Sequence, residues 1–214
     1  MTEATPIRVD IVSDVVCPWC VIGYRQLARA SEETGIPVDI HWHPFELNSH
    51  MPPEGQNLRE HIAEKYGTSI EESEASRHRL TDLGAELGFE FNYAADMRMV
   101  NTFRAHQLID WAATQGKAHE VKMALFASFF TDRRDVSQLD VLGDAAVEAG
   151  LDRDEALAVL QDERMADDVR QKQQFWTGHG ISGVPAMVFM QQHLVTGAQG
   201  TENYGRILRH LAEA

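Results

Sequence analysis

Cysteine is almost absent from this sequence, since its 214 residues include only Cys17 and Cys20. Two cysteines three positions apart cannot cross-link distant loops, which excludes the disulfide framework of a small secreted domain. In a reducing compartment such a pair is more typical of a redox or metal-binding site. The fold must therefore depend on an ordinary hydrophobic core, and a chain of this length can bury one.

Long apolar runs and basic residues are also scarce. No eighteen uncharged apolar residues follow one another, and residues 1–6 lack the basic and apolar segments of a secretory signal. The sequence contains 19 Lys and Arg residues and 33 Asp and Glu residues, which gives a formal charge of −14. This charge repels phosphate backbones and anionic lipid surfaces. We therefore expect a cytoplasmic protein that binds neither nucleic acid nor membranes.

The first fifty residues show a β-α-β pattern. Residues 7–12 alternate apolar and polar side chains before becoming continuously apolar, which predicts a strand entering a buried sheet. Apolar residues at helical spacing follow the cysteine pair and predict a helix that ends at Gly35. Residues 38–43 alternate again and predict a second strand.

From residue 58 to residue 178, strand signals are scarce and apolar residues recur at helical spacing. Thr68 and Ser137 are predicted helix N-caps, and Gly116 and Gly150 are predicted helix ends. These boundaries predict five or six helices. Their aromatic and methionine side chains are expected in the core, because an amphipathic helix must bury one face.

Strand patterns return near the C-terminus. Residues 186–190 and 194–196 are separated by a short polar turn, which predicts a hairpin, and a helix is predicted over residues 204–211. The resulting order predicts an α/β thioredoxin fold (β-α-β, β-β-α) with a large all-helical insertion after the second strand. We predict a thioredoxin-like domain of residues 1–50 and 178–214 and an inserted helical domain of residues 51–177.

The segment Cys17-Pro18-Trp19-Cys20 lies where the first strand gives way to the first helix. Unpaired backbone N–H groups and the positive end of the helix dipole would favour the thiolate of Cys17, and Pro18 suits the first helical position because it has no N–H to satisfy. Cys20 follows one turn later and is expected to be more covered. We predict that Cys17 attacks disulfides and that Cys20 resolves the mixed disulfide. A zinc site is not expected, because no second ligand pair completes it.

Three further positions are predicted to contact substrate. Pro185 directly precedes the third strand, where a cis Val184–Pro185 bond would expose the backbone of Val184. Trp19 would offer an apolar docking surface, with packing on the helical insertion as the alternative. His106 is a candidate to face the cleft and tune Cys17, with an ordinary core or surface position as the alternative.

Several short segments together resemble the DsbA-like thioredoxin family, and within it the cytoplasmic FrnE-like branch, a relative of the 2-hydroxychromene-2-carboxylate isomerases. The segments are Ser13-Asp14-Val15-Val16-Cys17-Pro18-Trp19-Cys20 with Ile22-Gly23, Phe45-Glu46-Leu47-Asn48, Asn101-Thr102 with Ala105-His106, Gly180-Ile181-Ser182-Gly183-Val184-Pro185 and Thr196-Gly197-Ala198-Gln199. The resemblance implies the helical insertion, a cis Val184–Pro185 bond and disulfide oxidoreductase activity with no bound organic cofactor. Relatives of the periplasmic branch often carry His where this chain has Trp19, so a strongly oxidising potential is not expected.

The predicted function is thiol–disulfide exchange through Cys17 and Cys20, on a protein or small-molecule substrate, by a monomer or homodimer. Pro18, Trp19, Val184, Pro185 and His106 are the predicted substrate-binding residues, and glutathione is a possible co-substrate. One alternative is a glutathione-dependent isomerase or transferase acting on a small aromatic metabolite. Another is a binding module that keeps the fold without catalysis.

Overall fold

Strands and helices follow the order predicted from the sequence. A computed structural model describes residues 5–213. Its strands are β1 (Ile7–Ser13), β2 (Val38–Pro44), β3 (Gln56–Asn57), β4 (Arg98–Met99), β5 (Ala186–Phe189) and β6 (His193–Thr196). Its helices are α1 (Pro18–Thr34), α2 (Leu58–Tyr66), α3 (Ile70–Glu86), α4 (Phe103–Ala113), α5 (Ala118–Phe130), α6 (Leu139–Glu148), α7 (Arg153–Asp162), α8 (Ala166–Gly178) and α9 (Thr201–Ala212).

A four-stranded sheet with the order β2-β1-β5-β6 positions the site. β1 pairs in parallel with β2 over its whole length, from Ile7 opposite Val38 to Ser13 opposite Pro44. On its other side β1 pairs antiparallel with β5, and β5 and β6 form the hairpin. Seven helices separate β2 from β5 in the described chain. The predicted thioredoxin fold with a helical insertion after the second strand is therefore confirmed.

Burial explains the central position of β1. Six of its seven residues are buried, as expected for a strand covered on both faces, whereas β2 is buried mainly at Trp42 and Pro44. Helices α1 and α9 pack on each other, and α4, α5 and α8 pack against β2. Inserted helices therefore lie directly beside the sheet. None of the helices in residues 5–213 is long and apolar enough to cross a lipid bilayer.

The insertion differs in detail from the prediction of five or six helices. It holds seven helices and the two-stranded sheet β3-β4, whose strands are too short to show an alternating pattern. The predicted N-caps are each wrong by one residue. Ser69, not Thr68, caps α3 through a capping box with Glu72, and α6 begins after Gln138 rather than after Ser137. Neighbouring residues with similar capping chemistry cannot be separated by sequence pattern.

Gly84 is expected to be the most sensitive glycine in the α3 region. A Cβ at this position would clash with Cδ2 of Phe91 and would lie 2.8 Å from the carbonyl oxygen of Phe89. Gly84→Ala should lower the free energy of unfolding by about 1–3 kcal/mol through overpacking, despite the better helix propensity of alanine. Urea unfolding measures this. Gly178→Ala is the matched helical control, because nothing lies within 4 Å of its Cβ position. Equal stability of the two variants would contradict the argument.

Candidate active site

The sequence places Cys17 at the start of a helix because the chain turns sharply after β1. Cys17 is the N-cap of α1, with extended backbone angles (φ −94°, ψ 111°), and Pro18 is the first helical residue. The Cys17 N–H donates to the carbonyl oxygen of Asp14 at 3.2 Å, and the Cys20 N–H donates to that of Cys17 at 3.1 Å. The Cys17 sulfur therefore lies at the positive end of α1, as the sequence predicts.

The two thiols differ in what they face. Cys17 is 4% exposed and Cys20 is 0% exposed, so the contrast expected between an accessible and a covered thiol does not come from surface exposure. It comes from a cavity that Cys17 lines and Cys20 does not. Burial raises the pKa of Cys20 well above its ordinary value, and the hydrogen bond and charge of the Cys17 sulfur raise it further.

That cavity, the Cys17 groove, has a volume of about 430 Å³. We define it by residues from the start of α1, the segment after β2, α2, α3, the segment after α3, α5 and the loop before β5: Cys17, Pro18, Trp19, Leu47, Leu58, His61, Ile62, Lys65, Glu72, Arg77, Tyr93, Phe129, Phe130 and Val184. Most of its wall is aliphatic or aromatic. Trp19 is 45% exposed at its rim, in agreement with the interpretation of an open apolar surface rather than a buried one.

The loop before β5 also reaches Cys17. The Cys17 thiol donates to the carbonyl oxygen of Val184, with 3.7 Å between sulfur and oxygen, and the Val184–Pro185 bond is cis. Val184 lines the Cys17 groove. Pro185 is buried behind it, with its Cγ 3.2 Å from the position that a Cβ on Gly23 would occupy. Val184 therefore adjoins both the Cys17 sulfur and the groove, whereas Pro185 is buried and does not line the groove.

His106 requires a correction. The structure buries it within the protein, where Nε2 lies 3.0 Å from the carbonyl oxygen of Phe45 and 3.3 Å from Oδ1 of Asp14. Because a carbonyl oxygen only accepts hydrogen bonds, Nε2 must carry a hydrogen. His106 does not line the Cys17 groove and occupies the core position that the sequence offered as the alternative. Its side chain contacts Asp14 there rather than the groove.

Asp14 is the acceptor at the centre of this buried arrangement. Its Oδ2 accepts the Leu47 N–H at 2.8 Å, and its carboxylate also meets His106. Burial alone would raise the pKa of Asp14, but these hydrogen bonds and the charge of Lys122 lower it below its ordinary value. This buried carboxylate lies three residues before Cys17 and was missed from the sequence.

Lys122 was also missed. It is 1% exposed on α5, and its Nζ lies 5.2 Å from the ring centre of Trp42 and 5.0 Å from that of Phe126. Burial lowers the pKa of Lys122 to about 8, although the charges of Cys20, Asp14 and Cys17 act in the opposite direction. One sequence signal could have predicted the burial of Lys122. Helix α5 is apolar on nearly all sides, and such a helix is buried together with its lysine.

Together these groups can support nucleophilic sulfur chemistry. One thiol opens on a groove, a second lies one helical turn behind it, and a buried cation and carboxylate lie near both. Within residues 5–213, no three His, Cys, Asp or Glu side chains converge in a metal-binding cluster. His41 and His43 instead pair with Asp39 and Asp10 at 2.8 Å each.

Comparison with known proteins finds the same architecture elsewhere. A probable DsbA oxidoreductase from Streptomyces coelicolor is 30% identical, with a TM-score of 0.87 over 95% of this chain and 89% of that one. YwbO from Bacillus subtilis is 26% identical over 94% of this chain and 96% of its own length. The cytosolic disulfide reductase DsbM from Pseudomonas aeruginosa is 15% identical with a TM-score of 0.66, a likeness of fold, over 96% of this chain and 98% of that one.

A family-level match covers nearly the whole chain. The sequence profile of the DSBA-like thioredoxin domain matches residues 8–209, which include the sheet, the inserted helices and both cysteines. The match agrees with the strand order and with Cys17 at the start of α1. This chain belongs to the DSBA-like thioredoxin domain family.

Proposed function

We propose that this protein is a thiol–disulfide oxidoreductase in which Cys17 attacks the substrate and Cys20 completes the exchange. The proposal rests on the unequal access of two thiols one helical turn apart, because Cys17 lines the Cys17 groove whereas Cys20 is enclosed behind it. A reachable sulfur backed by an unreachable one is suited to form a mixed disulfide and then to release it. Membership of the DSBA-like family supports the assignment.

The proposed exchange proceeds in two steps. The Cys17 thiolate attacks one sulfur of a substrate disulfide, a Cys17–substrate S–S bond forms, and the first substrate thiolate leaves and takes a proton from water. Cys20 then loses its proton and attacks the Cys17 sulfur, which forms the Cys17–Cys20 disulfide and releases the second substrate thiolate. Two electrons pass from the protein to the substrate. The reverse sequence oxidises a substrate dithiol, and the relative reduction potentials decide the direction.

Loss of the Cys20 proton is the demanding event in this scheme. Burial and the Cys17 sulfur raise the pKa of Cys20, whereas the positive charge of Lys122 lowers it. In the proposed mechanism the Lys122 ammonium stabilises the Cys20 thiolate as it forms. Asp14 lies close enough to both groups to compensate the buried cation.

The two alternative functions do not require both cysteines. A glutathione-dependent isomerase or transferase would not need a resolving thiol, and a binding module would need neither cysteine. Only dithiol exchange requires Cys20 for turnover, so its replacement separates this function from the two alternatives. Glutathione remains a candidate co-substrate, because DsbM, a protein of the same fold, has a structure with GSH.

Stoichiometric oxidation tests the proposed function. The reduced full-length protein is expected to release two thiols per chain from glutathione disulfide while Cys17 and Cys20 become joined, because the chain contains no other cysteine. Chromatography of the released thiol and peptide mass mapping measure both events across a series of glutathione buffers. Protein with both cysteines alkylated is the control. Absence of a Cys17–Cys20 disulfide in every buffer, together with no insulin reduction under dithiothreitol, would refute the proposal.

A further inference from the structure

The chemistry of the Cys17 groove indicates which substrates it can take. Its volume of about 430 Å³ falls in the range of small-molecule sites rather than surfaces that receive folded proteins. Leu47, Leu58, Ile62 and Phe130 contribute apolar wall. A compact apolar or aromatic body would therefore replace water in this groove at a gain in free energy.

Arg77 on α3 is a charged residue in the mostly apolar wall of the groove. Its Nη2 is buried, and it has no hydrogen-bond partner among residues 5–213. A buried guanidinium N–H without an acceptor is costly, so such groups normally meet a carboxylate, a carbonyl or a ligand. Burial and the charge of Arg59 lower the pKa of Arg77, and the charges of Glu74 and Tyr93 offset this only in part.

None of the other charged groups that line the groove is a hydrogen-bond partner of Nη2 of Arg77. Glu72 is committed to the capping box of α3, where its Oε2 accepts the Ser69 N–H at 2.8 Å. Lys65, near the Cys17 end, donates to the carbonyl oxygen of Leu47 and to Oδ1 of Asn48 at 2.7 Å each. His61 adds no negative charge. The groove thus contains two cations and one carboxylate that already has a partner.

Tyr93 lines the groove together with Cys17 and Arg77. Burial raises the pKa of Tyr93, so its phenol stays protonated at neutral pH. A ligand that fills the groove would therefore meet the Cys17 sulfur, an aromatic ring and the Arg77 guanidinium.

We propose that the Cys17 groove binds small aromatic disulfides that carry a carboxylate, with a sulfur at Cys17, the ring against Tyr93 and Phe130, and the carboxylate on Nη2 of Arg77. This inference rests on the proposed exchange at Cys17 and adds the substrate class. The exchange follows the two steps given above. The ring replaces water along the apolar wall, and the carboxylate supplies the acceptor that Arg77 lacks.

Single-turnover kinetics with two chromogenic probes test the inference. Reduced full-length protein is mixed with 5,5′-dithiobis(2-nitrobenzoate), which is aromatic and anionic, or with 4,4′-dithiodipyridine, which is aromatic and uncharged. Arg77→Gln is expected to slow the anionic probe about tenfold, because it removes a charge-assisted hydrogen bond, and to change the neutral probe less than about twofold. Arg77→Lys should keep most of the preference for the anion.

Arg79→Gln is the matched control, since Arg79 is exposed on the same helix, does not line the Cys17 groove and carries the same charge. Equal slowing of the anionic probe by Arg77→Gln and Arg79→Gln would overturn the inference and leave the proposed function standing. Failure of both probes to react with wild-type Cys17 would overturn the proposed function itself. Competition by 2-nitrobenzoate in the wild-type protein adds a readout that needs no variant, and absence of competition would also contradict the inference.

Discussion

Cys17→Ser is expected to reduce disulfide turnover to the uncatalysed background, a loss of at least about 10³-fold, because it removes the nucleophile. Cys20→Ser is expected to perform the first step and then stop with the substrate attached to Cys17. The difference follows from access, since only Cys17 lines the Cys17 groove. Stopped-flow measurement of the first thiol released, with intact-protein mass spectrometry of the adduct, distinguishes the two variants.

Interpretation of these variants is simple because the chain has only two cysteines. Any thiol chemistry in Cys17→Ser must come from Cys20, and any adduct on Cys20→Ser must be on Cys17. The double variant is the control for non-specific reaction. A stable adduct on Cys20 in the Cys17→Ser protein would reverse the proposed roles, and full turnover by Cys20→Ser would favour the glutathione-dependent alternative.

Lys122→Met is expected to stabilise the reduced protein while it impairs exchange. Burial lowers the pKa of Lys122 from 10.5 to about 8, so below pH 8 the folded protein holds a charge at a cost of about 3 kcal/mol. Between pH 8 and 10.5 the unfolded chain binds more protons than the folded one, so wild-type stability rises and the advantage of methionine declines. Urea unfolding at pH 6, 8 and 10 measures this trend.

The same variant removes the cation that lowers the pKa of Cys20, so the Cys20 thiolate becomes rarer at neutral pH. The second step should slow about threefold to fourfold for each unit by which that pKa rises, because the thiolate fraction falls while the thiolate becomes more nucleophilic, and the mixed disulfide should accumulate. Lys117→Met is the control, because Lys117 pairs with Glu120 at the surface. The free energy of unfolding of this variant should differ from that of the wild type by only about 0.5 kcal/mol. If Lys122→Met were less stable than the wild type at pH 7, the buried charge would be a net contributor to stability.

Local patterns in the sequence were sufficient to predict the strands of the four-stranded sheet. Period-two alternation and short turns predicted β1, β2 and the β5-β6 hairpin, because each feature depends on neighbouring residues. Helix boundaries in the insertion were less predictable. Thr68 and Ser69 have similar capping chemistry, and only the packed structure shows that Ser69 pairs with Glu72. The β3-β4 sheet joins segments about forty positions apart and leaves no local pattern.

The residues of the candidate site likewise differ in whether a local sequence pattern could predict them. The spacing of Cys17 and Cys20 and the position of Pro18 were visible in one short segment. The walls of the Cys17 groove come from distant helices, so no local pattern linked Arg77 to Cys17. His106 was misplaced because a histidine on a helix shows its periodicity but not its partner, and here the partner is Asp14.

The Cys17 groove combines residues from two parts of the chain. The Cys17 sulfur is held at the start of α1, beside β1, whereas much of the apolar wall and Arg77 belong to α2 and α3. Substitutions in α2 and α3 can therefore change which molecules reach the sulfur without altering the strand and helix that hold it. In evolution, substrate preference and redox chemistry in this architecture can diversify separately.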